Sequence, residues 1–191
     1  MNTKKANWNY SLRDVVFIVL IAIFCGVIFF ATNLSYSFLT AGLAAIGLGP
    51  LANDLLLGLW MIAGPLGIML IRKIGSSIIA ETLGGLVEML LGGQFGAGAI
   101  LSGLIQGIGS ELGFTFTGYR HYDKLALFLS TVTSTIITFG WSLAQEGYAA
   151  YRPSFLIVLF IARFISIGFF CGVLVAWINR LVERSGIMRR K

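Results

Sequence analysis

Six apolar stretches of roughly span length constrain this chain more than any other feature. A membrane-crossing helix needs roughly 20 mostly apolar residues. The stretches run from about Asp14 to Ala31, Leu51 to Ile71, Ser76 to Leu91, Ala97 to Thr117, Lys124 to Leu143 and Ser154 to Leu181. Between the first two lies "LSYSFLTAGLAAIGLG", residues 34–49, which is apolar but short and is followed by Pro50. It reads as a re-entrant or interfacial segment, with a seventh crossing as the alternative. Charged residues make up 12% of the chain, about half the share usual in soluble domains. The expectation is an all-α, polytopic membrane protein with six transmembrane helices. One integral-membrane domain covers residues 1–191. The start, "MNTKKANWNYSLRD", leads straight into the first stretch without a small-residue cleavage pattern, so that helix is expected to be retained.

The net charge of +6 reflects topology rather than a nucleic-acid surface. Six crossings with both termini cytoplasmic place Lys4, Lys5, Arg13, Arg72, Lys73, Arg120, Lys124, Arg180, Arg184, Arg189, Arg190 and Lys191 on the inner side. Only Arg152 falls outside, and Arg163 falls within the sixth span. That asymmetry is the one expected of a bacterial plasma-membrane protein. Pro50 and Pro153 can open the second and sixth helices, where a missing backbone donor costs nothing. Pro65, inside the second, is expected to bend it. Small-xxx-small pairs occur at Ala22/Gly26, Gly103/Gly107 and Gly109/Gly113. Such pairs let helices approach closely in lipid.

Ionisable and amide side chains inside spans are costly and usually face protein or a water-filled cavity. Here they are Asp54, Glu81, Glu88, Gln106, Glu111 and Arg163. Glu81 and Glu88 are seven residues apart, about two helical turns, and so share a face. Arg163 is the expected salt-bridge partner for one acid. The remaining acids are left for structural bonding, protonation or a cationic ligand. Trp60 is too deep for an interfacial belt, while Trp141 and Tyr36 lie near outer ends. Carboxylates beside aromatic faces form a site for a flat, cationic or hydrogen-bonding ring. Cys25 and Cys171 sit singly in apolar runs and read as packing residues, with no metal-ligand spacing.

The stretch "GLWMIAGPLGIMLIRKIGSSIIAETLGGLVEMLLGGQFG", followed by "SGLIQGIGSELGF", resembles the YkoE-like substrate-binding (S) components of energy-coupling-factor (ECF) vitamin transporters. The matching region is residues 58–114. The resemblance implies capture of thiamine or its hydroxymethylpyrimidine precursor from outside. It also implies partnership with a transmembrane coupling subunit and two ATPases. By position it marks Trp60, Glu81, Glu88, Gln106 and Glu111. S components dock on the coupling subunit through small residues of the first helix. Ala22 and Gly26 occupy a similar place, although the usual form has alanine at both.

The candidate substrate-binding set is therefore Glu88, Gln106, Trp60, Glu81, Glu111, Asp54, Trp141 and Tyr36, with Ala22 and Gly26 for partner docking. The chain has no GxxxxGK[ST] loop, HExxH pair or CxxC pair. It reads as no enzyme, with no cofactor or metal, and ATP hydrolysis belongs to partners. The competing functions are a stand-alone carrier or channel and a structural subunit of a membrane complex.

Overall fold

The computed structural model describes residues 8–186, and the regular structure there is helical. Lys4, Lys5, Arg189, Arg190 and Lys191, which contribute to the expected charge asymmetry, lie outside the described residues. Helix α1 (Leu12–Ala44) begins at a capping box. The Ser11 hydroxyl accepts the Asp14 N–H at 3.2 Å, and the Asp14 carboxylate accepts the Ser11 N–H at 3.0 Å. The helix then continues unbroken for 33 residues.

That continuity corrects the expected re-entrant or interfacial segment at 34–49, most of which is the second half of α1. No glycine or proline occurs between Gly26 and Gly42. Thr32 and Ser35 satisfy their hydroxyls by donating to the carbonyls of Ile28 and Ala31, at 2.8 and 3.0 Å. Back-bonding of this kind keeps polar side chains inside a helix.

Helices α2 (Leu51–Trp60) and α3 (Ala63–Ile71) are the two halves of the next apolar stretch. They separate at Met61 and Ile62. The cause is Pro65, which has no N–H and whose ring crowds the carbonyl four residues earlier. Then follow α4 (Ser76–Leu90), α5 (Gly98–Phe116) and α6 (Lys124–Gln145). After a 3₁₀ turn at Tyr148–Ala150, α7 (Pro153–Ile167) starts with its proline in the first turn. It passes through a π-helical segment, Gly168–Leu174, into α8 (Val175–Ser185).

The count of six spans is also corrected. Among the described residues, four helical units are long and apolar enough to cross a membrane: Leu12–Ala44, Leu51–Ile71, Lys124–Gln145 and Pro153–Ser185. The expected third span is α4, whose 15 residues reach about 22 Å against a hydrocarbon layer of about 30 Å. It stops at Gly92, where φ is +89° and the chain turns. The expected fourth span, α5, has the length, but Gln106, Glu111 and its glycines dilute its apolar character.

The two shorter helices form the middle of the molecule. Helix α4 packs on α1, α3 and α5, and α5 packs on α6. Glycines set these contacts. Gly84 lies under the Phe29 ring, Gly103 and Gly107 face the α4 backbone at Glu81 and Ile78, and Gly113 faces the α6 backbone at Ser130. A Cβ at Gly113 would overlap Ser130 backbone atoms. Gly113→Ala should therefore destabilise the protein by about 2 kcal/mol or more through overpacking. Thermal unfolding in detergent checks this, and an unchanged midpoint would refute the close α5–α6 contact.

The two ends of the bundle differ. At one, the Tyr10 hydroxyl donates to the Ile74 carbonyl at 2.7 Å. Arg72 pairs there with Glu183 at 2.8 Å and lies over the Tyr122 ring. The other end, formed by the α1–α2, α4–α5 and α6–α7 connections, holds a cavity.

Candidate functional site

The cavity has a volume of about 510 Å³, within the range of small-molecule sites. Its wall combines one group of aromatic rings with a few polar side chains from six helices. Tyr36 of α1, Trp60 at the end of α2 and Phe95 of the α4–α5 connection meet with ring centroids 5.5 to 5.8 Å apart. Trp60 is fixed by its indole N–H, which donates to the Phe29 carbonyl at 3.1 Å. Its position just before the Pro65 break brings the ring to the cavity.

Glu88 lies on the same wall and is buried. Its Oε1 accepts a 2.7 Å bond from the Asn33 amide of α1. A carboxylate held this way beside aromatic rings can meet a cation or an amino group on a flat ligand. Gln106 lines the α5 side, and its amide donates to Ser102 at 2.8 Å. Trp141 comes from α6.

A second polar group flanks the cavity near α7. Arg163 is completely buried and lines it, while Asp54 of α2 stands behind. Arg163 Nε donates to Asp54 Oδ1 at 2.6 Å, and Nη2 donates to the Ser142 hydroxyl at 2.8 Å. The Tyr148 hydroxyl donates to the other Asp54 oxygen at 2.9 Å. Burial first, and then the Asp54 charge, raise the Tyr148 pKa, so the phenol remains a donor. The guanidinium also lies 5.1 and 5.5 Å from the Phe139 and Tyr148 ring centres, a cation–π arrangement.

Glu81 and Glu111 are not part of this wall. Each caps a helix that begins inside the protein. Glu81 Oε2 accepts the Gly64 N–H in the first turn of α3. Glu111, on α5, accepts the N–H groups of Gly75 and Ser77 at the start of α4, at 2.8 and 3.0 Å. Helix starts expose amides that need acceptors and favour negative charge. The two acids of α4 do point the same way round its axis. Seven residues of rise, about 10 Å, place Glu81 at the α3 start and Glu88 at the cavity.

Ala22 and Gly26 are buried as well. A Cβ at Gly26 would meet Val87 and the Gly84 carbonyl of α4. Gly26 therefore sits at an internal helix contact, and the exposed face of α1 carries Leu20, Phe24 and Val27. Sequence reasoning did not single out Asn33, Phe95 or Ser142. Asn33 had a usable signal, an amide inside an apolar run. Phe95 and Ser142 had none, because only the folded chain places them at the site.

The geometry can be set beside known proteins. The model of the family described as "ABC-type cobalt transport system, permease component" matches residues 13–137. The chain is 28% identical over 180 residues to a Bacillus subtilis (strain 168) protein named as an HMP/thiamine permease protein, YkoE. That match covers 94% of this chain and 88% of the relative. A crystal structure of an S component of an ECF transporter superposes with a TM-score of 0.86 at 28% identity. It covers 94% of this chain and 89% of that one. The chain belongs to the family of ABC-type cobalt transport system permease components, and within it is a YkoE-like, membrane-embedded, substrate-binding S component of an ECF transporter.

Proposed function

We propose that the cavity captures thiamine or its hydroxymethylpyrimidine precursor, with residues 1–191 acting as one binding unit. The observation that carries this reading is the buried Glu88 carboxylate beside the Tyr36, Trp60 and Phe95 rings. The relative's name, HMP/thiamine permease protein, supports the ligand class. Thiamine carries a cationic thiazolium and an aminopyrimidine. Glu88 neutralises the first or accepts from the amino group of the second. The rings flank the flat heterocycle, and Gln106 and Trp141 complete the wall. Glu81 and Glu111 act through the scaffold, and Asp54 through Arg163.

The α4–α5 connection provides the gate. Gln94 donates to the Asn33 carbonyl and accepts from the Ser37 hydroxyl, each at 3.3 Å, while Phe95 completes the aromatic group. Both bonds are long, and the one to Ser37 is exposed, so they are easily exchanged for water. The S component works with a transmembrane coupling subunit and two ATPases, which supply the nucleotide-binding loops absent from this sequence.

The family description mentions cobalt, but the donor set favours an organic ligand. Among the described residues, no group of three His, Cys, Asp or Glu side chains converges, and metal cargo needs several N, O or S donors at one point.

The test is calorimetric titration of the detergent-purified chain with thiamine, then with hydroxymethylpyrimidine. Tight one-to-one binding of either is expected. No binding of either by folded protein overturns the reading. Flux of the ligand in liposomes without ATPase partners would favour the stand-alone carrier.

A further inference from the structure

Helix α8 carries two arginines that the described protein leaves unpaired. Trp177, Arg180, Leu181 and Arg184 recur three and four residues apart, so they share one side of the helix. All four are exposed, Trp177 by 57% and Leu181 by 44%. The opposite side, with Val175 and Asn179, is buried. The one acid of α8, Glu183, is engaged on that side, by Arg72 at 2.8 Å and by the Asn179 amide at 3.2 Å. Among the described residues, no acid lies within ion-pair distance of Arg180 or Arg184.

The place of this face along the chain limits what covers it. Helix α7, the π-helical segment and α8 form one helical unit of 33 residues, Pro153–Ser185. Its length is about 50 Å, against a hydrocarbon layer of about 30 Å. Helix α8 therefore reaches the headgroup layer, at the end opposite the cavity. Before it, the outward residues Phe169 and Val173 are apolar and exposed, and Trp177 continues their stripe. Tryptophan is enriched at the edge between hydrocarbon and headgroups. One turn beyond it, at the depth of the lipid phosphates, the stripe becomes cationic. A guanidinium presents a planar fork of donors that matches phosphate oxygens.

We propose that the face of α8 formed by Trp177, Arg180, Leu181 and Arg184 binds anionic phospholipid headgroups in preference to zwitterionic ones. Trp177 and Leu181 rest against the upper acyl chains, and Arg180 and Arg184 hold the phosphate. A zwitterionic headgroup brings its own cation and offers the two arginines no net charge. The contact fixes the depth of the last helical unit in the bilayer. It is independent of the cavity and of what the cavity captures.

The test reconstitutes the full chain in phosphatidylcholine vesicles and adds brominated phosphatidylglycerol or brominated phosphatidylcholine in steps. Bromine quenches indole fluorescence on contact, and Trp177→Phe isolates the Trp177 signal by difference. Each cation near an anionic surface gains about fivefold in affinity. Wild-type Trp177 should therefore be quenched at a share of phosphatidylglycerol at least about tenfold lower than of phosphatidylcholine. Replacing both arginines, Arg180→Gln with Arg184→Gln, should bring the two lipids within about twofold. Thermal unfolding should stay near wild type, because both side chains are exposed and unpaired. Arg152→Gln removes an exposed cation at the opposite end and should keep the preference. Equal quenching by the two lipids in wild type overturns the proposal and leaves the face to a protein partner. So does a preference that persists in the folded double variant or disappears in Arg152→Gln. If the double variant does not fold, wild type at about 1 M salt decides, because screening within about 3 Å should cut the preference several-fold. A preference unchanged by that salt overturns the proposal.

Discussion

Glu88→Gln should weaken binding of thiamine by about thirtyfold while leaving thermal unfolding of the empty protein nearly unchanged. The carboxylate is buried at the cavity wall, accepts from the Asn33 amide at 2.7 Å and also interacts with the Trp60 side chain. Glutamine has nearly the same shape and can still accept from Asn33. The packing and that bond survive, and only the charge disappears. Losing the attraction between the carboxylate and a cationic thiazolium in a poorly solvated site costs about 2 kcal/mol, which corresponds to roughly thirtyfold in affinity. Titration calorimetry on wild type and variant measures the difference. Affinity kept within about twofold would mean that the ligand's charge is met elsewhere, and Glu88 would lose its role.

Glu111→Ala is expected to do the opposite. It should lower stability by about 3 kcal/mol and leave the affinity of the folded protein close to wild type. The carboxylate accepts from two backbone amides, Gly75 and Ser77, at a helix start enclosed by the protein. Alanine removes both acceptors. Each buried, unsatisfied donor costs roughly 1–3 kcal/mol, and the lost side chain leaves a void. Thermal unfolding and titration on the same preparation separate the two effects. Normal unfolding with lost binding would place Glu111 on the ligand and refute the capping role.

These contrasting outcomes come from acids that look alike along the chain. Helical periodicity correctly puts Glu81 and Glu88 on one face. It does not reveal what stands opposite at each level. The Pro65 break is visible in the sequence, but that its exposed amide falls beside Glu81 depends on how α3 and α4 cross. Ala22 and Gly26 illustrate the same point. Small residues permit a close approach by any neighbour, and at Gly26 the neighbour within the chain is α4. The span count failed for a related reason. Hydropathy windows treat each apolar run alone, whereas α4 ends after 15 residues and is sheltered by α1, α3 and α5.

The sequence by itself determined that this is an all-helical membrane protein with interior acids, aromatic rings at one end and no nucleotide-binding loop. These properties follow from composition and from local rules: apolar run length, proline geometry and the cost of burying charge. Only the tertiary structure decided which acid faces a cavity and which caps a helix. It also joined Arg163 to Asp54 across 109 positions of chain, and made a long α1 from two expected segments. Partners so far apart are chosen by three-dimensional packing, where close backbone contact and hydrogen-bond satisfaction must be met together, and no local pattern encodes that choice.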